Sequence, residues 1–594
     1  MRGFLAKVLC ILFILAGWMP QAFAQNQPSA LLPTAGTSTA APLPNVEATE
    51  APVPLGAAAS AETPAAADIA PVPAIEPVAV SVLSNVSLES IGGKKQDGLG
   101  AEMWKGTSRV VAERLLSSMT PSSSSILNNL AQRLLMTAAT PPEGEITSPQ
   151  LLTSKRVEKL ILFGNVEEAW SLAKQADAKL IDAQTFKLIA ENALANGDGS
   201  ACSKAADFVK AYAGVDWQEF QIVCRLRAKD IQAAQVALDV LRSESRHDPV
   251  FIGVADRNIL SNGKSLPFQL TPLSPMTLAL LQQANLPVPG SLFTRAEYAN
   301  VTALLRLPTQ QDVARLAMAE RAAERGLIGL PELGAIYRAT NFPPDVIASP
   351  LASNESGLRF RALLFRALDE PKEPETKIVF TAKFAQSATP AFLNGTGDVI
   401  ASMLGDIQPS SLLAKDAALL TRLYMLTGKN DLAKAWFALA QKEARTEDMQ
   451  AFWPQFVLAG YEADSAYVAD FGKWFDAALK TADESTVHNV IAPTLLFFEA
   501  MGLDVPESAW EKVFTPPFAV KKYSYSPVLF GRLRVAAADR RRAETVLLAL
   551  SLAGEGEVPL PIALGITSAL YRVGFKNEAA LFARQSVSLL TKDN

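Results

Sequence analysis

Residues 419–444 read LLTRLYMLTGKNDLAKAWFALAQKEA, and this stretch decides the fold. Apolar residues recur at three- and four-residue spacing on both sides of Gly428-Lys429-Asn430-Asp431. That spacing predicts two amphipathic helices joined by a tight turn. Ala433 follows Gly428 by five positions, and a small side chain there lets the two helices of a hairpin approach closely. The same pattern recurs along the chain, at Gly164/Ala169, Gly197/Cys202, Lys229/Ala234, Ala538/Ala543 and Gly574/Ala579. Helical periodicity also marks RVVAERLL, RVEKLILFGNVEEAWSLAKQA and TFKLIAENALA, and long alternating runs of β type are missing from the sequence. The expectation is an all-α fold of αα-hairpins stacked into an irregular solenoid. Each pair leaves an apolar face that only its neighbours can cover. The alternative is an irregular all-α protein whose hairpins merely share turn chemistry.

Around Gly428 the pattern extends to Tyr424, four residues before it, to Phe437, four after Ala433, and to Ala440, three further on. This arrangement resembles the tetratricopeptide repeat, whose packing positions are Tyr, Gly, Ala, aromatic and Ala at this spacing. Gly164 with Ala169 and Ala176 is a weaker copy, and Gly574 with Ala579 keeps only the turn and the small residue. The strict 34-residue period is not sustained and the closing Pro is missing, so the resemblance is to a degenerate array. The resemblance makes Gly164, Ala169, Gly428, Ala433, Phe437, Gly574 and Ala579 repeat-packing positions. The chain is also similar to secreted bacterial proteins sometimes labelled antifreeze-glycopeptide-like, including the stretch DGLGAEMWKGTSR at 97–109. That resemblance implies export but no activity, and residues 25–80 lack the regular Ala-Ala-Thr repeat of ice-binding glycopeptides.

Working outward to the start, MRGFLAKVLCILFILAGWMPQAFAQ has the three parts of a secretory signal. Arg2 and Lys7 are the positive region, Val8 to Trp18 the apolar run, and Ala22-Phe23-Ala24 the cleavage signal before Gln25. A retained anchor is the alternative, although a membrane span needs about 20 apolar residues. Lipidation at Cys10 is disfavoured by Leu9, which stands where a small residue belongs. Cleavage would remove two of the 55 basic residues and take the net charge from -5 to -7. The style points to the periplasm or the exterior, with no stable membrane insertion of the mature chain.

From Gln25 to about Val80 the chain is dominated by Ala, Pro and Thr. No Lys or Arg occurs between Gln25 and Gly93, whereas Glu47, Glu50, Glu62, Asp68, Glu76 and Glu89 do. Frequent Pro removes backbone donors, and so little apolar surface cannot offset ordering entropy, so a disordered linker is expected. It reads either as a spacer, reaching at most ~170 Å in extended form, or as a solvated tail. Gly92-Gly93, Gly98 and Gly100 around Trp104 then suggest an ordered cap docking on the first helices. The sequence therefore divides into a signal peptide (1–24), a disordered Ala/Pro-rich linker (25–80), helical repeats with a cap (81–290), an irregular helical middle (291–410) and C-terminal helical repeats (411–594).

Cys202 and Cys224 remain after cleavage, and an oxidising compartment favours pairing them. A helix over 199–213, a turn near Gly214 and a returning helix over 216–228 would put them at heights of ~18 and ~15 Å above the turn. A cross-hairpin disulfide is expected, with a redox-active pair the alternative, although no C-x-x-C is present.

Chemistry is sparse. With 2 His and 3 Cys, a His-rich metal site and an all-cysteine zinc site are excluded. His247 and His488 are distant in sequence and lack a ligand partner four residues on. Ser171-Leu172-Ala173-Lys174 matches S-x-x-K without its companion motifs and reads as helix surface. Gly263-Lys264-Ser265 approaches a phosphate loop, but Asn258 stands where the first Gly belongs and Pro267 where a helix should begin. Arg540-Arg541-Arg542 reads as a solvated helix start or a short cationic patch, and Lys521-Lys522 adds to a locally basic C-terminal part. With 55 basic against 60 acidic residues, a dedicated nucleic-acid binder is disfavoured. No catalytic, cofactor or metal residue is assigned. The expectation is a non-catalytic periplasmic scaffold binding a protein or peptide partner. The alternatives are a regulator of a cell-wall enzyme and a purely structural envelope protein.

Overall fold

A computed structural model describes residues 98–146, 150–176, 180–212, 214, 216–244, 248–260, 273–294, 298–309, 312–443, 446–460, 464–514 and 523–590. The expected signal (1–24), the linker (25–80), His247, the Gly263-Lys264-Ser265 turn and Lys521-Lys522 lie outside the described residues. All described residues belong to one compact unit. Among them the regular structure is helical, with one isolated bridge between Ser108 and Glu143. The chain is all-α.

Hairpins are the building unit, and turn chemistry makes them. The helix Ala417–Thr427 ends at Gly428, whose φ of 72° is left-handed, and Asn430–Glu443 begins two residues later. Glycine enters that conformation without a Cβ clash. The same device joins Leu152–Leu162 to Val166–Gln175 through Gly164, and Leu560–Arg572 to Lys576–Leu590 through Gly574. Gly197 is likewise left-handed before Ser200–Ser203. Gln218–Arg227 turns into Ile231–Ser243 through Lys229, and Pro527–Ala538 into Arg542–Ala553 through Arg540. In that last hairpin the left-handed residue is Arg540 and not Ala538, because the helix runs on to Ala538 before it turns.

The alanines beyond these turns are buried. Ala169, Ala234, Ala433, Ala543 and Ala579 are each fully buried, at 0% exposure. A larger side chain there would force the paired helices apart, and overpacking of that kind costs about 1–3 kcal/mol. At the Gly428 hairpin, Phe437 stacks on Phe456 with ring centroids 3.8 Å apart. Tyr424 is buried, and its hydroxyl accepts from the Ile407 N–H at 2.7 Å and donates to Gly405 O at 3.0 Å. Ala440 is buried beside them.

Two expectations need correction. The helix foreseen over 199–213 is broken into Ser200–Ser203 and Ala205–Ala211, with Lys204 between them. Stacking is also not strictly between neighbours in sequence, since Ala183–Ala195 packs on Pro275–Gln283. The middle segment contains 3-10 turns at Gly290–Thr294, Tyr298–Asn300 and Pro350–Ala352, and short helices such as Val301–Leu305 and Pro344–Ala348. Its prolines begin helices rather than ending them. Pro331, Pro344, Pro374 and Pro390 all stand in a first turn, where a missing N–H costs nothing.

The first and last helices meet. Arg542–Ala553 packs on both Arg109–Ser118 and Ser125–Met136, and Lys576–Leu590 packs on the latter. Of the cap foreseen around Gly92-Gly93, Gly98, Gly100 and Trp104, the described part, 98–108, docks on both ends of the array, not only on the first helices. Leu99, Met103 and Trp104 are buried in it, each contributing about 2 kcal/mol by removal from water. The Leu99 N–H donates to Thr137 Oγ1 at 2.9 Å, while Leu99 O accepts from Arg542 Nη1 at 2.9 Å. The Ala543 N–H donates to Met103 O at 3.0 Å. Glu544 has 0% side-chain exposure and receives Arg532 Nε, Arg541 Nη1 at 3.2 Å and Thr107 Oγ1 at 3.3 Å. Arg133 and Glu578 add an ion pair between the two ends. One continuous apolar core runs from Leu99 to Val587.

Candidate functional site

Turns that close successive hairpins converge on one cavity of about 990 Å³. Its walls are the turns at 164–168, 196–198, 326–330 and 395–399, with Leu305, Arg306 and Arg315 from the segment between them. Three helices of eight or more residues, Val166–Gln175, Leu330–Ala339 and Gly397–Leu404, begin at this wall. Their first N–H groups have no partner within the helix, and each start carries partial positive charge. Carboxylates from the same turns answer them. Glu332 Oε2 accepts from the Gly329 N–H at 3.2 Å. Asp398 accepts from the Leu330 N–H at 3.0 Å and the Val399 N–H at 2.9 Å, so it bridges two helix starts.

Glu167 and Glu168 lie in the first turn of Val166–Gln175, and Gln132 Nε2 donates to Glu168 at 3.0 Å. Asp198 accepts from the Ser200 N–H at 2.8 Å. Burial alone would raise its carboxyl, but the Ser200 hydrogen bonds and nearby Lys174 outweigh this and hold it below the usual range. Arg315 donates through Nε and Nη2 to Leu305 O at 3.1 and 2.7 Å. Burial lowers its affinity for the proton and Asp312 opposes that, and the guanidinium stays cationic at neutral pH. The exposed side chain of Arg306 projects beside the Gly197 turn.

Behind one wall lies a buried polar brace. Arg361 Nε donates to Glu320 Oε1 at 2.9 Å, and the Tyr337 hydroxyl donates to the same oxygen at 2.9 Å. Burial, with Glu320 beside it, pushes the Tyr337 hydroxyl well above its ordinary range. Tyr337 is one residue beyond Ile336, which lines the cavity, so the brace fixes the wall rather than the opening.

Gly197 also lines a second open cavity of about 940 Å³, whose other lining residues include Arg227, Lys229, Arg257, Gln282 and Gln283. The two hollows therefore share one turn.

The residues singled out in the sequence fall in separate places. Gly164 lines the first cavity, with Ala169 buried one turn into the helix behind it. Gly428, Ala433 and Phe437 belong to a different hairpin, and Gly574 and Ala579 to the last one, where Gly574 lies beside Arg542. Cys202 and Cys224 are joined as a disulfide, with Cα atoms 5.3 Å apart, across the hairpin next to the second cavity. Ser171 and Lys174 lie on Val166–Gln175, where Lys174 Nζ stands 3.8 Å from Asp198 and 5.4 Å over the Trp170 ring. His488 sits in the π-helical turn Val487–Ile491. Among the described residues no group of three His, Cys, Asp or Glu could hold a metal. Arg541 and Arg542 are engaged in the junction of the two ends, not in a solvated helix start.

Sequence reasoning passed over Arg306, Arg315, Glu332 and Asp398. The available signals were the glycine breaks GLIGL at 326–330 and NGTGD at 394–398, each followed by a helix. The cavity lining has no His and no Cys among the described residues, and Asp198, Glu332 and Asp398 already accept from backbone N–H groups. Such a surface is equipped to hold a chain by hydrogen bonds and charge. Compared with protein-family models, curated proteins and solved structures, the chain finds no match.

Proposed function

We propose that this chain is a non-catalytic, exported helical-repeat scaffold of degenerate tetratricopeptide-like build, holding a protein or peptide partner in the cell envelope. One observation carries the reading: the hairpin turns converge on a cavity of about 990 Å³ that shares its Gly197 wall with a second of about 940 Å³. Turn backbones and capping carboxylates supply many hydrogen-bonding groups and no arranged nucleophile and base, which suits binding an extended segment. Export to the periplasm or exterior is proposed from the signal-like residues 1–24, and the Cys202–Cys224 disulfide suits an oxidising compartment. No helix among the described residues is long and apolar enough to cross a membrane.

The test is site-specific photo-crosslinking in the periplasm of cells expressing the full chain. A crosslinker at Arg306 or Glu332 is expected to trap a defined partner. A crosslinker at Val379, an exposed position outside both cavities, is expected to trap little. Equal trapping at all three positions, or none, ends the proposal. If the trapped partner is a cell-wall enzyme whose rate changes on addition of the purified chain, the scaffold is a regulator.

A further inference from the structure

The second cavity differs from the rest of the molecule in charge. The protein has a net charge of -5, and the first cavity is bordered by Glu167, Asp198, Glu332 and Asp398. The second is lined by Arg227, Lys229 and Arg257 and, among the described residues, by no carboxylate. A fourth cation borders the junction, because a Cβ on Gly197 would stand 3.5 Å from Arg306 Nη1.

Two local features place these cations. Arg227 Nη2 donates to Gly197 O at 3.2 Å, and a Cβ on Gly199 would stand 2.7 Å from Arg227 Nε. Bare backbone at Gly199 is what gives the guanidinium its seat. Lys229 is the second feature. It occupies the left-handed turn position, with φ 61°, that glycine fills at 164, 197, 428 and 574. A side chain is strained there, and the strain gains the fold nothing visible, since Lys229 is exposed and meets no acidic partner among the described residues. Lys229 thus adds an exposed cation to the lobe lined by Arg227 and Arg257.

We propose that this basic lobe binds the carboxylate side chains of an acidic peptide segment whose remainder lies in the neighbouring turn-lined cavity. The inference rests on the peptide-binding reading above and adds the chemistry of the occupant. A peptide suits the charge pattern better than a nucleic acid does. A phosphate backbone carries its charge continuously and would meet the acidic border of the first cavity, whereas a peptide can confine its carboxylates to one end.

Fluorescence anisotropy with the purified mature chain tests this. The probe is a short labelled peptide whose Glu residues are grouped at one end and whose remainder is Ala and Pro. The comparisons are the same peptide with Gln for Glu and an oligothymidylate of equal charge. The Glu peptide is expected to bind roughly 10-fold tighter than the Gln peptide at low salt, with the advantage shrinking at high salt. Lys229→Gly is expected to weaken the Glu peptide about 3-fold, and Arg227→Gln with Lys229→Gly and Arg306→Gln about 10-fold. The unfolding midpoint of Lys229→Gly is expected to stay level or rise, which separates lost binding from lost fold. Equal affinity for the Glu and Gln peptides overturns the inference and leaves peptide binding standing. Binding of neither peptide overturns both. Tighter binding of the oligothymidylate than of the Glu peptide also overturns the inference.

Discussion

Two hairpin turns carry a cation where other turns carry glycine: Arg540 before Arg542–Ala553 and Lys229 before Ile231–Ser243. Around Arg540 the neighbouring basic side chains are consumed by the fold. Arg541 pairs with Asp539 and with Glu544, while Arg542 donates to Leu99 O and stands 5.1 Å from the Phe575 ring. Around Lys229 the cations border a hollow. The difference lies in what faces the turn. Beside the first, Arg541 and Arg542 meet Glu544 and the cap from the other end of the chain, while Arg540 itself is exposed. The second faces solvent. Arg541 and Arg542 thus clamp the first turn to the cap, whereas Lys229 in the second turn stays exposed.

The largest expected effect breaks the first side of this comparison. Glu544→Gln leaves Arg541 and Arg532 without their buried counter-charge, and removing one partner of such a pair costs about 3 kcal/mol. Denaturant unfolding should show that loss, while Glu-peptide binding at the Lys229 lobe is retained in the folded fraction. A loss below about 0.5 kcal/mol would mean the two ends are not held by Glu544.

The second effect concerns the hairpin that carries Lys229. Cys202 and Cys224 close a loop of 22 residues, so replacing both with Ser should cost about 3 kcal/mol on the chain-entropy account. A thiol assay on unfolded, unreduced mature protein should find no free thiol. Two free thiols would remove the disulfide from this comparison.

Third is a pH effect beside that hairpin. Burial, reinforced by Glu219 and offset by Lys187 at 3.5 Å, raises the Glu191 carboxyl to about 7. The folded protein therefore holds this proton more tightly than the unfolded chain, whose carboxyl titrates near 4.5. The resulting stability is present below about pH 4.5 and is lost as pH rises towards 7. Glu191→Gln should leave stability nearly unchanged at pH 5 and raise it by about 1–3 kcal/mol at pH 8. Equal effects at both pH values would contradict the raised carboxyl.

The smallest effect sharpens the comparison directly. Arg540→Gly should stabilise by about 1 kcal/mol, because it relieves a left-handed side chain, and should leave peptide binding unchanged. Lys229→Gly should relieve the same strain and weaken binding. If both substitutions behave alike in the binding assay, the two turns do not differ in role.

The all-α fold was legible because its signals are local. Period, turn residue and following alanine all fall within 419–444, and a short helical hairpin is fixed by such neighbours. The meeting of the two ends was not legible. Thr107 and Glu544 are 437 residues apart, and nothing near either one announces its partner. The run Arg540-Arg541-Arg542 looks solvated in sequence because the groups that desolvate it, Leu99, Thr107 and the buried Glu544, are supplied by the tertiary fold. The cavity residues were hidden for another reason. Arg306, Glu332 and Asp398 lie at turns and helix starts of the proline-interrupted middle segment, and periodicity within one helix does not show which turns share a wall.

The seating of Leu99, Met103 and Trp104 has a consequence for biogenesis. Their berth includes Arg542 and Ala543, so a polypeptide growing from its amino end must expose these apolar side chains until nearly all of it has been made. Nascent or prematurely stopped chains would display an unburied tryptophan, a natural handle for chaperones and proteases, and only finished molecules could hide it.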